Sequence, residues 1–334
     1  MSLYDAVAEL PLRVEGYELE RLELPVSSGF TRVSTVIHLR GGGEEGVGED
    51  VTYDAAQHPP PADLPLAGEH TLDSFSAALE THEFSDYRRW AFESAALDLG
   101  LRQAGRSLAE AVGREPRPVR FVVSKRFESI DVLRKLLDRY PATRFKLDPT
   151  SDWSDELVAD LAALAGVDVV DLKGAYHGTM VDLPPDPVLY GRVARAFPEA
   201  WIEDPALTDE TEPVLAPYRD RITWDAPIHS VADVVSLPFQ PGTLNVKPSR
   251  FGPVRELFAF YDHCAEHGIA LYGGGQFELG VGRGQIQYLA SLFSADGPND
   301  VAPGGYNDPE PRPGLETSPL EPRAESLGFR RSVP

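Results

Sequence analysis

Lysine is nearly missing from this chain: of its 31 cationic side chains only five are lysine and 26 are arginine. Four of the five close a short apolar run, Lys125 in VRFVVSK, Lys146 in TRFK, Lys173 in VDVVDLK and Lys247 in TLNVK. Arginine serves a solvated surface as well as lysine, but its guanidinium stays protonated, whereas a desolvated ammonium can lose its proton and act as a base. The lysines that remain therefore mark places where proton transfer is expected. Cysteine is reduced to Cys264, which excludes an intramolecular disulfide and a cysteine-based zinc cluster, and its setting in YDHCAEHG reads as an inert helix interior. No apolar stretch approaches the roughly 20 residues that span a bilayer. The start MSLYDAVAEL has no basic region before an apolar core, so a signal peptide is not expected and a cytoplasmic location follows by default. A net charge of −22 speaks against nucleic-acid or anionic-membrane partners, because phosphate contacts need clustered Lys and Arg. An anionic substrate must then be drawn in by local charge such as a bound metal.

What is present is a globular chain with 42% apolar residues and two rhythms. Over residues 1–115, YELERLELPV and TRVSTVIHLRGGG alternate at period two, as antiparallel strands do. In FSDYRRWAFESAALDLGLRQAG, Phe92, Ala95, Ala96 and Leu99 share one helical face. Gly105 suits a C-terminal cap, and Ser107 with Glu110 forms a capping box. Over residues 116–299 short β-rich runs (VRFVVS, TRFKLD, VDVVDL, AWIED, RITWDA, TLNVKP, IALYGGG) alternate with helical ones, and Ser154 is a plausible N-cap for SDELVADLAAL. Such alternation predicts parallel strands and a (β/α)7β barrel of the TIM type behind an N-terminal α+β domain. A doubly wound open sheet is the alternative, but no glycine-rich fingerprint follows the first strand. Residues 300–334 are proline-rich, and Leu315, Leu320, Leu327 and Phe329 are positioned to dock on the N-terminal domain.

Glu203 in WIEDP, Asp225 in TWDAP and Lys247 in NVKP stand at three successive strand ends, each 22 residues after the one before. Regular spacing delivers their side chains to one rim. With Asp171 they make three carboxylates, a hard-oxygen set suited to Mg²⁺, and packed together they need a cation or lysines to relieve their repulsion. The competing reading is that strand-end acids cap the helices that follow.

In this order Asp171, Glu203, Asp225 and Lys247 (LNVKPSRFG) resemble the enolase superfamily, in its muconate-cycloisomerase and o-succinylbenzoate-synthase-like branch. AFESAALDLGLRQAGRSLAEAVG is similar to the helix that closes that family's capping domain, and YGGGQFELGVGRGQIQYLASLF to its seventh strand and next helix. The resemblance implies Mg²⁺ on Asp171, Glu203 and Asp225, and removal of a proton α to a carboxylate with stabilisation of the enediolate. It implies that Lys247 is a base or a cationic partner of the enolate, that Glu278 orients it, and that Lys146 is the first lysine of a second-strand Lys-x-Lys. The second lysine is absent. Asp148 holds its place, and Lys173, where the family has Asp-x-Asn, is a candidate substitute from the third strand. In an alternative register Asp148 is the first metal ligand and Lys125 takes the second-strand role. The resemblance places cap loops at residues 27–33 and 51–58, with Phe30 and Tyr53, together with Gln276 of the seventh strand, as candidate substrate contacts. No histidine stands in the seventh strand, which speaks against the branches that use a His-Asp pair, and His229 reads as a loop residue.

The expected function is Mg²⁺-dependent abstraction of an α-proton from a small carboxylic acid, leading to cycloisomerisation, syn-dehydration or racemisation and epimerisation. One-sided chemistry needs fewer parts than racemisation. The alternative is an altered barrel that only binds metal or ligand, because Asp148 replaces a lysine. A Schiff-base aldolase or a hydrolase survives only if the acids are helix caps. Neither substrate nor oligomeric state is legible, and a homo-oligomer stays open.

Overall fold

The computed structural model describes residues 2–26, 30–58, 63–125, 127, 129–179, 181–308 and 310–332. Residues 27–29 of the first expected cap loop thus lie outside the described residues. The N-terminal part is built from β1 (Pro11–Val14), β2 (Gly16–Pro25), β3 (Thr31–Gly41), β4 (Glu44–Asp50), β5 (Gly68–Thr71), α1 (Leu72–Leu79), α2 (Asp86–Gln103) and α3 (Leu108–Val112). β2, β3 and β4 form an antiparallel meander, with Leu19 opposite Ile37 and Ile37 opposite Gly48. Alternation at period two gives β3 a buried face of Val33, Ile37 and Leu39. α2 lies directly on β4. A Cβ on Gly46 or Gly48 would stand 2.1 Å from the carbonyl oxygens of Ala95 or Ala91, so glycine is what lets helix and strand backbones touch. Phe92, Ala95, Ala96 and Leu99 are buried at this contact, and the Ser107–Glu110 capping box forms.

The barrel runs β6 (Val123–Ser124), α4 (Asp131–Arg139), β7 (Phe145–Leu147), α5 (Asp155–Ala163), β8 (Val167–Asp171), α6 (Pro187–Ala196), β9 (Trp201–Glu203), α7 (Glu212–Leu215), β10 (Ile222–Thr223), α8 (Val231–Val235), β11 (Thr243–Val246), α9 (Val254–Glu266), β12 (Ala270–Gly273) and α10 (Val281–Phe293). β6 to β10 form one parallel sheet in chain order, and β11 pairs with β12. The Asn245 N–H donates to the Trp224 carbonyl at 3.1 Å and joins the two groups. Residues 299 and 300 close the ring, through Asp300 N–H to the Gly273 carbonyl at 2.7 Å and Val122 N–H to the Asn299 carbonyl at 2.8 Å. This is a TIM-like barrel with a capping α+β unit.

The terminal segment crosses both parts. Leu320 bridges Val119 beside the first barrel strand, while the Phe329 N–H donates to buried Asp98 of α2 at 3.0 Å. Leu315 lies by the barrel instead, its N–H bonded to the Tyr140 hydroxyl at 3.0 Å. Among the described residues no helix is long and apolar enough to cross a membrane.

Candidate active site

Parallel strands deliver their C-terminal ends to one rim, and five of them bring charge there. β7 carries Lys146 and is followed by Asp148, β8 ends in Asp171 and β9 in Glu203, while Asp225 and Lys247 stand just beyond β10 and β11. Sheet order makes β7 the second barrel strand and β8 the third.

Asp171, Glu203 and Asp204 each offer an oxygen within 4.8 Å of the others, and all three are buried. The third acid of this trio is Asp204, where the sequence pattern selects Asp225. Backbone geometry explains the difference. Asp204 has φ +51°, a left-handed conformation that breaks strand alternation, so Glu203 and Asp204 converge instead of pointing to opposite faces. Asp204 also accepts the N–H groups of Asp225 at 2.8 Å and Ala226 at 2.9 Å, fixing the loop after β10. Asp225 is meanwhile held by cations. Its Oδ2 lies 2.8 Å from Lys247 Nζ and accepts the Tyr176 hydroxyl at 2.7 Å, and its Oδ1 accepts from Arg250 at 2.9 Å. Asp148, like Asp225, stands outside the convergent trio, with Oδ1 3.6 Å from Lys173 Nζ.

The lysines fill the space between these acids. Buried Lys146 bonds Glu203 in a short contact and stands 3.1 Å from Asp171 Oδ2. Lys173, at φ +55°, turns inward to bond Asp171, and its ammonium lies 5.0 Å above the Tyr176 ring. Lys247 runs along Gly274, where a Cβ would come within 2.7 Å of Asn245 Oδ1 and 3.0 Å of the lysine Cε, so a larger residue there would push on both side chains. Lys125 faces elsewhere, donating to the Tyr306 carbonyl at 3.1 Å.

Burial and the neighbouring acids push Glu203 up to about 8 and Asp204 up to about 7. Burial raises Asp171 as well, but Lys146 and Lys173 overcome it and hold the carboxyl at about 2. Burial, helped by Arg250, Lys146 and Lys173, pushes the Lys247 ammonium below its ordinary value despite the attraction of Asp225. Burial lowers Lys146 and Lys173 too, but the surrounding acids together overcome it and hold both above their ordinary value, Asp171 foremost, joined by Glu203 and Asp225 at Lys146 and by Asp148 at Lys173. Five carboxylates (Asp148, Asp171, Glu203, Asp204, Asp225) thus meet four cations (Lys146, Lys173, Lys247, Arg250), one acid in excess, and burial disfavours the charged forms of Glu203 and Asp204 most plainly. Buried, hard oxygen donors with surplus negative charge fit Mg²⁺.

The remaining expected residues lie where the rim after β12 meets the N-terminal part. Glu278 does not reach Lys247, whose ion pair is with Asp225. Its carboxylate takes the Gln276 N–H and lies 3.0 Å from Arg283 instead. The Gln276 side chain donates to the Tyr87 hydroxyl of α2 at 2.9 Å. Phe30 and Tyr53 are exposed aromatics of the cap, 45% and 52% accessible. His229 is an exposed loop residue bonded to the Ala226 carbonyl. Sequence reasoning missed Asp204, Tyr176 and Arg250. Asp204 and Arg250 stand inside the motifs WIEDP and NVKPSRFG, but a strand-alternation reading assigns them no inward direction.

Residues 115–308 match the family described as "domain of unknown function (DUF8230) C-terminal domain", and residues 5–111 match its N-terminal domain. An N-succinylamino acid racemase of Amycolatopsis sp is 30% identical over 88% of this chain and 86% of its own. An o-succinylbenzoate synthase of Geobacillus kaustophilus is 27% identical over 64% of this chain and 58% of its own. Among solved structures, a dipeptide epimerase from Methylococcus capsulatus complexed with Mg ion superposes with a TM-score of 0.69 at 18% identity, covering 86% of this chain and 90% of that one. The muconate lactonizing enzyme from Pseudomonas putida gives 0.62 at 20% identity, covering 86% and 88%. The chain belongs to the enolase superfamily, and within it to the DUF8230 family. It is an enzyme of that superfamily, with relatives named racemase and o-succinylbenzoate synthase.

Proposed function

We propose that this enzyme removes the proton α to the carboxylate of a small acid in a Mg²⁺-dependent reaction, and that its reaction is racemisation or epimerisation of an N-acylated amino acid. On this reading residues 1–115 and 300–334 form the cap and residues 116–299 the catalytic barrel. The observation that carries it is the pair of separate lysine groups at one rim: Lys146 and Lys173 on β7 and after β8, Lys247 after β11. Strand order sets β7 and β11 on opposite arcs of the ring. Racemisation needs a proton-transfer group on each face of the substrate carbon, and this arrangement supplies both. The relatives named N-succinylamino acid racemase, which span 86% of their own length here, support the same choice.

Asp171 and Glu203, completed by Asp204 or Asp225, are the groups to hold the ion. Mg²⁺ bound there supplies positive charge where an enediolate develops. Lys247, already displaced toward its neutral form, accepts the α-proton at Nζ. Lys173 donates to the opposite face, and Asp148 beside it replaces the missing second-strand lysine as its orienting partner. Neutralising the carboxylates weakens the attraction that holds Lys146 and Lys173 protonated, readying them for transfer.

The test is α-proton exchange in D₂O with Mg²⁺ and each enantiomer of an N-succinylamino acid. Exchange from both enantiomers is expected. Exchange from one alone points to one-sided chemistry of the o-succinylbenzoate synthase type, and none with any of a panel of small carboxylates points to a barrel that only binds.

A further inference from the structure

Arg32 is fully buried, and among the described residues no carboxylate lies within ion-pair distance of it. Its guanidinium spends every bond on backbone carbonyls. Two belong to the cap, Val51 and Thr52, both at 2.7 Å, and two to the barrel, Gln276 at 2.9 Å and Phe277 at 3.1 Å. A planar fork of five donors can span four carbonyls, and an ammonium cannot. Glu49, buried on the same cap sheet, grips the following residues by their N–H groups: Leu279 at 2.7 Å, Gly280 at 3.1 Å and Gly282 at 2.8 Å. Its carboxylate also accepts the Ser34 hydroxyl at 2.6 Å. The helix α10 that begins at Val281 has no side-chain cap of its own, so this carboxylate takes that place from another part of the fold. Tyr53, exposed at the mouth, stacks on the other side of the Arg32 guanidinium, 4.5 Å from ring centroid to Cζ.

We propose that Arg32 and Glu49 are positioning residues that join the Tyr53 loop and the seventh-strand segment 276–282 into one specificity unit, so that the cap sets the seat of Gln276 and Glu278. The inference deepens the proposed function, since it assumes that substrate meets Tyr53 and the seventh-strand rim. The grip on residues 276–282 is opposite in sign at its two ends, carbonyls by a cation and amides by an anion, and both grips come from the cap. Among the described residues nothing in it bonds the convergent acids, which stand at the ends of β8 and β9 and just after β9.

The experiment compares the full-length enzyme with Arg32→Lys and Glu49→Gln by amide hydrogen exchange, Mg²⁺ titration calorimetry and steady-state kinetics. Arg32→Lys should speed exchange about tenfold or more in both 51–53 and 276–282, two segments more than 200 residues apart in sequence, while other barrel strands keep their protection. Glu49→Gln should reproduce the change in 276–282. Mg²⁺ affinity should stay within about twofold, and KM should rise about tenfold with a smaller change in kcat. Faster exchange spread evenly over the cap, or confined to one segment in Arg32→Lys, overturns the proposal. If Arg32→Lys does not fold, Glu49→Gln decides alone: unchanged exchange in 276–282 overturns it. The exchange readout holds even where the parent turns over no N-acylamino acid, so a wrong substrate assignment and a wrong clamp are told apart.

Discussion

The two arcs of the barrel mouth are held by different means. On the arc of β7 and β8, Lys146, Asp148, Asp171 and Lys173 hold one another through side-chain ion pairs, all supplied by the barrel. On the arc of β11 and β12, Lys247 is paired within the barrel, but the next rim segment is fixed from outside: Gln276 by Tyr87 and Arg32, and Leu279 to Gly282 by Glu49. α9, which follows Lys247, begins at Val254 without a side-chain cap, and its first N–H is taken by Glu93 of α2 at 2.9 Å. One arc is therefore a network of side-chain charges that satisfy one another across two strands. The other is a backbone held by the cap, where sequence change is felt as movement. The departure from the Lys-x-Lys pattern falls on the first arc, and the lysine kept in its expected place on the second.

The contrast breaks most visibly at the bases. Lys247→Ala should lower α-proton exchange by about 10³-fold, the range of a lost general base, and leave Mg²⁺ titration almost unchanged. Surviving exchange would end the role given to this lysine. Because burial lowers its pKa and the neutral amine is the active form, kcat/KM should rise with pH and level off below 10.5, the ordinary lysine value. Glu203→Gln should weaken Mg²⁺ binding by more than about 100-fold, beyond what outer partners of a metal usually contribute. Asp204→Asn against Asp225→Asn sharpens the ligand set: the larger loss in calorimetry identifies the third donor.

Lys173→Asn should cost about 100-fold in exchange from one enantiomer. Adding Asp148→Lys, which moves the ammonium back to the second strand, should recover most of it. Asp148→Lys alone crowds three ammoniums into one arc and should gain nothing. A double-mutant cycle in which the two changes simply add would show that the residues do not share one task.

Much of this was legible in the sequence because parallel barrels repeat. A period of 22 residues from Glu203 to Asp225 to Lys247 reports a common rim without any contact information. Alternation and capping signals likewise located β3, α2 and α3. Illegible were the features set by single backbone angles and by distant partners. Asp204 joins the acids through φ +51°, which no neighbouring glycine announces. Lys173 turns inward through φ +55°, where its place before Gly174 also admits a surface turn as the lesser reading. Family order assigns Glu278 to Lys247, but its neighbours in space are Arg283, in the first turn of α10, and the Gln276 N–H. Arg32 and Glu49 sit among ordinary strand residues, and their barrel partners lie more than 200 residues downstream.

The smallest effects compare how each arc is braced away from the chemistry. Glu93 is fully buried and binds the Val254 N–H, Arg89 and Ser76. Glu93→Gln removes the charge opposite buried Arg89 and halves the acceptors, so it should destabilise by about 2–3 kcal/mol in urea unfolding. On the other arc α4 is tied to α5 by Arg134 and Asp160, a pair 3.0 Å apart with both side chains about half exposed. Solvent and side-chain entropy consume most of such a bond, so Arg134→Ala should change stability by less than about 0.5 kcal/mol. Equal losses in the two variants would mean that the cap braces its arc no more firmly than surface ion pairs brace the other.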